Sequence, residues 1–242
     1  MLDYKFHTPE GVMDYLPDEC LAKHELEQKL SDTFCSYGYR RVQTPSIEYH
    51  DIYCACSGDI STEKLFKFFD AQGRILALRG DITTSIARMM GTKWGGSPLP
   101  ARLCYVAEAF RYNGTSSSLP SEFTQAGIEL IGTDTAAADA EVILVTITSL
   151  LNAGVDQFQI DIGQVDFFKG LAEQIGLNAE DTEKIRVLID HKDSLGISEM
   201  ISHYEMNREV KDLLCNMPDL VGGEEVLTRA DSPHLNERSR AA

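Results

Sequence analysis

The sequence predicts an α+β fold: a mixed antiparallel sheet flanked by helices, with a helical subregion near the C-terminus. Strand-like segments at 39–47, 74–79, 102–112 and 121–131 alternate with helix-like segments over the first two thirds of the chain. After about residue 165 the strand signals end and helical periodicity alone continues. The chain has 242 residues, 43% of them hydrophobic, which is enough for a sizeable core.

Helices are predicted where apolar residues recur at helical spacing. In residues 18–37 such side chains recur every four positions, and Gly38 follows where a glycine commonly ends a helix. Residues 82–92 carry one apolar face, and residues 137–153 form a strongly apolar segment that stops at Gly154. We therefore expect helices packed on the sheet.

Two further patterns concern strands. The segments 102–112 and 121–131 are separated by a Ser-rich run at 116–120, which predicts an antiparallel hairpin with a long loop. The segment QFQIDIG at 157–163 alternates apolar with polar residues. This alternation predicts an additional half-buried strand.

The same patterns divide the chain into three regions. We expect the sheet core over residues 1–164 and a helical subregion of the same domain over residues 165–228. Residues 229–242 are polar, and we expect them to form a loose tail.

The charge balance restricts the possible partners. The chain carries 38 acidic against 22 basic residues, a formal net charge of −16. A protein that grips a phosphate backbone needs positive potential, so we expect no nucleic-acid partner. No run approaches the roughly 18 apolar residues of a membrane span, and the opening MLDYKFHTPEG lacks the apolar core of a signal peptide. We expect a cytoplasmic protein that does not bind membranes.

The sequence contains no motif for covalent or metal chemistry. It has no G-x-S-x-G, P-loop, G-x-G-x-x-G or H-E-x-x-H pattern, and its six histidines are scattered. Six cysteines suit a reducing compartment, and packing explains the C-x-C pair Cys54 and Cys56 better than a metal does. We therefore expect no catalytic residue, no metal site and no cofactor.

Polar residues gather at three places beside apolar runs, of which the first is LRGDITTSIAR at 78–88. Asp81 follows a predicted strand and precedes a predicted helix, so it can cap the helix by accepting free N–H groups. Thr83 and Thr84 then lie in the first turn. A strand end that meets a helix N-terminus can also hold a small polar ligand, and the sequence leaves both roles open.

The second place is the strand segment EFTQAGIELIG at 122–132. Its two-residue period puts four residues on a polar face: Phe123, Gln125, Gly127 and Glu129. The alternate residues form a mainly apolar face that should meet helices: Thr124, Ala126, Ile128 and Leu130. The polar face separates Gln125 from Glu129 by about 13–14 Å, with Gly127 clearing the space between them. This face is either a solvent-facing edge or the floor of a site for an ammonium or imidazole group.

The third place is YVAEAFRYNG at 105–114. Arg111 shares its face with Tyr105, Ala107 and Ala109, and the alanines leave room above the sheet. An arginine there could bind a carboxylate or phosphate through two hydrogen bonds. A salt bridge to a neighbouring carboxylate is the structural alternative.

At these places the sequence resembles a known family. The matching segments, in chain order, are TPEGVMDYLP (8–17), GYRRVQTPSIEY (38–49), LRGDITTSIAR (78–88), YVAEAFRY (105–112) and EFTQAGIELIG (122–132). They resemble the class II histidyl-tRNA synthetase core, which implies the class II antiparallel sheet flanked by helices. FTQAGIELIG followed by ADAEVI, and the later IDIGQVDFFKGL, LCNMPDLVGG and EEVL, are more similar to that enzyme's non-catalytic paralogue, the ATP phosphoribosyltransferase regulatory subunit family.

The resemblance implies that the activation chemistry has been lost. A working synthetase carries Arg-x-Glu in its second motif, followed by a basic loop. Here Asn113 stands in the glutamate position after Arg111, and the loop NGTSSSLPSEF has no lysine or arginine. A neutral loop cannot stabilise the negative charge that builds on a phosphate during adenylation. Gly80 also replaces the proline usual in the motif before Asp81.

The resemblance implies that the histidine pocket is retained. Asp81, Thr83, Gln125 and Glu129 match positions that in the family hold the amino group of histidine and recognise its side chain. Arg111 would stabilise the carboxylate of the ligand or a neighbouring phosphate.

A regulatory role follows from the resemblance. The implied partner is a short-form ATP phosphoribosyltransferase catalytic subunit, which this chain would support in the first step of histidine biosynthesis while relaying feedback inhibition by histidine. Family architecture implies a homodimer built around the segment near Pro45, within a larger hetero-oligomer. The alternatives are a histidyl-tRNA synthetase or a fragment of its catalytic core, and an amino-acid-binding paralogue with another partner. The family's glycine-rich third motif is not found, so we expect the C-terminal portion of the domain to be missing.

Overall fold

The computed structural model describes residues 6–55, 62–113 and 119–241. The chain divides into two compact units, Met1–Phe158 and Gln159–Ala242, here called unit 1 and unit 2. In the described ranges no helix is long and apolar enough to cross a bilayer.

Unit 1 contains both helices and strands. Its α-helices in the described residues are α1 (Pro17–Ser36), α2 (His50–Ala55), α3 (Thr83–Lys93) and α4 (Ala136–Asn152). Its strands are β1 (Arg40–Arg41), β2 (Ile47–Tyr49), β3 (Lys67–Phe69), β4 (Ile75–Leu78), β5 (Ala101–Phe110) and β6 (Glu122–Ile131).

The strands form two sheets. The sheet in the order β1-β5-β6, which contains the two ten-residue strands, is here called the larger sheet, and the sheet in the order β2-β4-β3 is called the smaller sheet. β5 and β6 are antiparallel from the pair Ala101 and Ile131 to the pair Phe110 and Glu122, as the predicted hairpin requires. β1 runs parallel to β5, so the larger sheet is mixed. The single strand predicted at 39–47 is instead divided into β1 and β2, which lie in different sheets.

Helices cover the larger sheet on both faces. Leu103 packs with Ile86 of α3 on one face. On the other face Cys104 packs with Phe34 of α1 and Val145 of α4. The β6 residues predicted to meet helices lie in this second cluster: Ala126, Ile128 and Leu130. The polar face of β6 is therefore on the α3 side of the sheet.

A buried arginine joins the two sheets. Arg79 follows β4 and is 3% exposed; its Nε donates to the Glu108 carbonyl at 2.7 Å and its Nη1 to the Thr44 carbonyl at 2.8 Å. Its backbone N–H donates to the Ser46 carbonyl, and its own carbonyl accepts from the Phe110 N–H, each at 2.9 Å. Burial lowers the pKa of Arg79. Within the described chain, backbone carbonyls rather than a paired carboxylate hold its guanidinium.

An ion pair fixes α3 to the smaller sheet. Glu48 on β2 is 6% exposed and accepts three hydrogen bonds from Arg88 of α3, one from Nη2 at 2.7 Å and two from Nε at 2.8 and 3.0 Å. A bidentate pair of this kind fixes orientation as well as distance. The position of α3 is thus set by Arg79 shortly before the helix and by Arg88 within it.

Unit 2 is helical throughout its described regular elements. Its α-helices are α5 (Val165–Gln174), α6 (Ala179–Asp190), α7 (Ser194–Met200), α8 (Arg208–Asn216), α9 (Glu225–Ala230) and α10 (Glu237–Ala241). Its core is built from apolar side chains of α5 to α8: Phe168, Leu171, Ile185, Ile197, Val210 and Leu214. Because this core is separate, the helical region forms its own compact unit, and the boundary lies before the one expected at 164/165.

The C-terminal residues do not form the loose tail expected for 229–242. Ser239 of α10 is 3% exposed and donates to the Phe167 carbonyl at 3.1 Å. Asn236 donates to the Gly170 carbonyl at 2.7 Å. A Cβ at Gly170 would clash with Ser239, so this glycine permits the close approach of α10 to α5. Polar side chains of this C-terminal segment hydrogen-bond to α5 and hold the segment in place. The composition of the segment does not reveal such contacts.

The prediction of a half-buried strand at 157–163 is wrong. These residues have no strand partner in the described structure, and the apolar members of the alternation remain open to solvent, with Phe158 37% and Ile162 74% exposed. The alternating pattern is present, but the division between the units falls within it. A strand needs a neighbour to satisfy its backbone, and none of the described strands pairs with this segment.

Replacing Arg79 by lysine tests the junction between the sheets. The ammonium keeps the charge but loses the planar fork, so buried carbonyls lose their donors, and we expect a destabilisation of about 2–4 kcal/mol. Chemical denaturation followed by circular dichroism measures it. Arg74→Lys is the matched control, because Arg74 pairs with Asp70 at an exposed site and should change stability by less than about 1 kcal/mol. Equal stability of the two variants would contradict the assigned role of Arg79.

Candidate functional site

The predicted site residues all lie in unit 1. Asp81 and Thr83 stand at the start of α3, Gln125 and Glu129 on the polar face of β6, and Arg111 directly after β5. The closest contact among them joins α3 to the sheet, where Thr83 Oγ1 donates to Glu129 Oε1 at 2.7 Å. The structure therefore places the start of α3 against the polar face of β6.

Asp81 caps α3, as the structural interpretation predicted. Its Oδ1 accepts from the Thr84 N–H at 2.9 Å, and its Oδ2 accepts from the Thr84 hydroxyl at 3.2 Å. The residue between Asp81 and the helix is Ile82, which has no polar side chain, so Asp81 supplies the cap. The cap also fixes this carboxylate in a single orientation near Glu129.

Glu129 carries a charge that its surroundings disfavour. Burial raises its pKa, the hydrogen bond from Thr83 lowers it, and the negative charge of Asp81 raises it further. In the described part of the chain no lysine, arginine or histidine forms a salt bridge with Asp81 or Glu129. The two carboxylates thus leave negative charge at this place that a cationic ligand would neutralise.

Gln125 adds an unused acceptor on the same face. Its Oε1 is buried and has no hydrogen-bond partner among the described residues. A buried polar atom without a partner is costly and rare in folded proteins. A ligand that brings a donor to this face would satisfy it.

The space between Gln125 and Glu129 is not open, contrary to the expectation from Gly127. Tyr105 lies directly opposite Gly127 on β5, and a Cβ at Gly127 would lie 2.5 Å from its Oη. The glycine therefore makes room for the phenol ring rather than for a ligand. Burial raises the pKa of Tyr105, a hydrogen bond with Thr83 lowers it, and the charge of Glu129 raises it. Tyr105 thus lies between Gln125 and Glu129. The pairing register of β5 and β6 reveals this position, because it sets Tyr105 opposite Gly127.

Arg111 is held by a carbonyl and an aromatic ring. Its Nε donates to the Gly80 carbonyl at 2.9 Å, and its guanidinium lies 5.3 Å from the centre of the Phe123 ring. Over the described ranges no carboxylate forms a salt bridge with it, so the structure does not show the ion pair considered as its alternative role. The bond to Gly80 places the guanidinium beside the peptide that precedes Asp81.

Tyr53 of α2 is a neighbour that the sequence did not reveal. It is 5% exposed, and burial together with the charge of Asp81 raises its pKa to about 12. Its hydroxyl and the hydroxyl of Ser85 are both buried without a partner of good geometry in the described structure. No spacing in the sequence connects residue 53 with the start of α3, because the contact depends on how α2 packs.

Asn113, which replaces the expected glutamate, has a structural contact. Its Nδ2 donates to the Pro120 carbonyl at 3.0 Å, joining the two ends of the Ser-rich loop. Residues 114–118 of that loop lie outside the described residues, as does Cys56 of the C-x-C pair. Within the described ranges no group of three His, Cys, Asp or Glu side chains is arranged to hold a metal.

Comparison with known proteins agrees with the resemblance seen in the sequence. The family model described as histidyl-tRNA synthetase matches residues 11–242. Relatives called ATP phosphoribosyltransferase regulatory subunit include one from Acetivibrio thermocellus, 46% identical over 99% of this chain and 57% of the relative. Another, from Ruminiclostridium cellulolyticum, is 39% identical over 100% of this chain and 58% of the relative.

Solved structures agree on the fold. A crystal structure from Bacillus halodurans, described as an ATP phosphoribosyltransferase regulatory subunit/histidyl-tRNA synthetase, matches with a TM-score of 0.86 and 30% identity over 98% of this chain and 62% of that one. A histidyl-tRNA synthetase from Nostoc sp. PCC 7120 shares the fold with a TM-score of 0.70 at 18% identity, over 93% of this chain and 51% of that one.

The chain spans less than two thirds of the length of these curated relatives. The class II synthetase-like fold and the family resemblance predicted from the sequence are confirmed. The chain belongs to the histidyl-tRNA synthetase family, and the relatives from Acetivibrio thermocellus and Ruminiclostridium cellulolyticum carry the name ATP phosphoribosyltransferase regulatory subunit.

Proposed function

We propose that this chain belongs to a non-catalytic regulatory subunit of ATP phosphoribosyltransferase that binds histidine at the start of α3. The observation that carries this proposal is the pair of carboxylates, Asp81 and Glu129, which form no salt bridge with a cationic side chain in the described structure. The names of the relatives support the regulatory role.

The charges of the site suit a zwitterionic amino acid. An ammonium or imidazolium group would sit with Asp81 and Glu129, where it would relieve their mutual repulsion. Arg111 has its Nε occupied by Gly80, and its remaining N–H groups can bind the ligand carboxylate. Gln125 Oε1 would accept a further N–H. Histidine supplies all of these groups in one molecule.

The site retains recognition without a means of activating the amino acid. Adenylation needs positive charge where the transferred phosphate becomes more negative. Asn113 is neutral and occupied with the loop, and the loop sequence carries no lysine or arginine. This argues against the alternative of a histidyl-tRNA synthetase core, which would need those charges.

Histidine would regulate by favouring one arrangement of this site. A ligand shifts a conformational equilibrium only as far as its affinity differs between the two states, and the coupling acts equally in both directions. α3 is the element through which such a change would pass, since Glu129 holds its first turn and Glu48 holds Arg88. The partner in this proposal is a short-form ATP phosphoribosyltransferase catalytic subunit, acting at the first step of histidine biosynthesis in the cytoplasm.

The proposed homodimer has a suitable surface on the smaller sheet. Residues directly opposite one another share a face, and the outer face so defined is apolar: Ile47, Tyr49, Phe68, Leu76 and Leu78. Ile47 is 47% and Tyr49 44% exposed. An apolar sheet face beside the segment at Pro45 supports association there, because such surfaces are usually covered.

Histidine titration tests the binding site. Calorimetry should detect binding to the wild-type chain, and Glu129→Gln should weaken it by about 10- to 100-fold, because a charge-assisted hydrogen bond is lost. Glu122→Gln is the matched control: it makes the same change on the same strand, at an exposed residue on the opposite face, and should leave affinity unchanged. Absence of wild-type binding, or equal loss in both variants, would refute the site.

The same substitution should stabilise the ligand-free protein. Since the folded state raises the pKa of Glu129 above its ordinary value of 4.5, its ionised form opposes folding at neutral pH. This penalty is complete above the folded-state pKa and disappears below 4.5. We expect Glu129→Gln to melt at a higher temperature than wild type at pH 7 and at a similar temperature in acid. A lower melting temperature at pH 7 would show that the charge is compensated.

Sedimentation measures the proposed dimer. Wild type should sediment as a dimer, and Ile47→Asp should shift it toward monomer, because a carboxylate cannot be buried in the apolar face. Leu195→Asp is the control, since Leu195 is 80% exposed on α7. A monomeric wild type, or an Ile47→Asp variant that remains dimeric, would rule out this surface.

A further inference from the structure

A small cleft at the edge of the larger sheet differs in character from the rest of this acidic chain. It has a volume of about 390 Å³ and lies where β1, the segment after α3 and the start of β5 meet. Its polar lining is supplied by Arg40, Trp94, Ser97 and Arg102, and the other lining residues are glycine, alanine and prolines. No carboxylate lines it, although the chain has a net charge of −16.

Arg40 is the free cation of this cleft. It is exposed and, within the described residues, forms no ion pair or hydrogen bond through its guanidinium. An arginine that a strongly acidic protein leaves unpaired keeps its full capacity to bind an anion. Its planar fork matches two oxygens of a phosphate or carboxylate.

Arg102 lines the cleft, but its charge is used on the other face of the sheet. Its Nε and Nη2 each donate to Glu141 of α4 at 2.7 Å, and Tyr39 donates to the same carboxylate at 3.0 Å. Arg40 lies opposite Leu103, which packs on the α3 side of the sheet, whereas Arg102 points to the α4 side. Glu141 therefore neutralises Arg102, and Arg40 is the charge that the cleft offers to a ligand.

Ser97 supplies a further donor, and Trp94 lines the cleft beside it. The Ser97 hydroxyl has no side-chain partner in the described ranges. The indole Nε1 of Trp94 is itself buried away from solvent, so the tryptophan contributes its ring rather than a donor. The donors thus come from β1 and from the segment after α3. A tetrahedral oxyanion can accept from several directions, whereas a carboxylate accepts mainly in one plane.

We infer that this cleft is a binding site for a small phosphate-bearing ligand, with Arg40 as its main charged contact. The volume is near the lower end of the range for small-molecule sites, which suits a phosphate ester of a compact metabolite. The cleft is separate from the residues of the proposed histidine site and does not depend on that proposal.

The tryptophan provides a selective measurement, because Trp94 is the only tryptophan in the chain. Titration of the wild-type protein with inorganic phosphate at constant ionic strength should change its tryptophan fluorescence and saturate. Arg40→Gln should raise the phosphate concentration at the midpoint at least tenfold, since a charge-assisted contact is lost. Arg40→Lys, which keeps the charge without the planar guanidinium, should raise this concentration less.

Arg41→Gln is the matched control, since it removes the same charge at the next residue, which lies on the other face of β1. Its midpoint should stay within about twofold of wild type, because only nonspecific charge is lost. Acetate at the same ionic strength should bind at least tenfold more weakly than phosphate. No saturable change in wild type, equal weakening in the Arg40→Gln and Arg41→Gln variants, or equal binding of acetate and phosphate would overturn the inference.

Discussion

The hydrogen bonds of Arg79 to backbone carbonyls are the constraint on which the rest of unit 1 depends. This residue directly follows β4, joins the smaller sheet to β5 and is followed at once by Gly80 and Asp81. Its position therefore determines where α3 begins and where Asp81 stands relative to β6. Since Arg111 also binds the carbonyl of Gly80, both the negative and the positive groups of the candidate site are placed by one short segment.

The candidate site is unfavourable for the ligand-free protein. Two carboxylates share a partly buried place without a cation, and polar atoms of Gln125 and Tyr53 have no partner in the described structure. Proteins commonly accept such costs at functional sites and offset them by packing elsewhere. A ligand with positive charge and hydrogen-bond donors would remove this cost.

Local patterns in the sequence were sufficient to predict many of the helices and strands of unit 1. The hairpin of β5 and β6, the helices α1, α3 and α4, and the apolar face of β6 follow from periodicity, because each buries its face against a neighbouring element. Contacts between distant segments were not predictable in this way. Tyr105 over Gly127 depends on the strand register, and the position of Tyr53 depends on the packing of α2. The segment at 157–163 shows the opposite error: its alternation predicts a strand, but no strand of the described residues pairs with it.

Binding of histidine without its activation is the central claim. The most direct test is histidine-dependent exchange of pyrophosphate into ATP, measured on a preparation that binds histidine by calorimetry. The neutral loop after Arg111 predicts no exchange above the rate without histidine, because nothing there stabilises charge on the phosphate. Sustained exchange that requires histidine would contradict the account and identify the chain as part of an active synthetase.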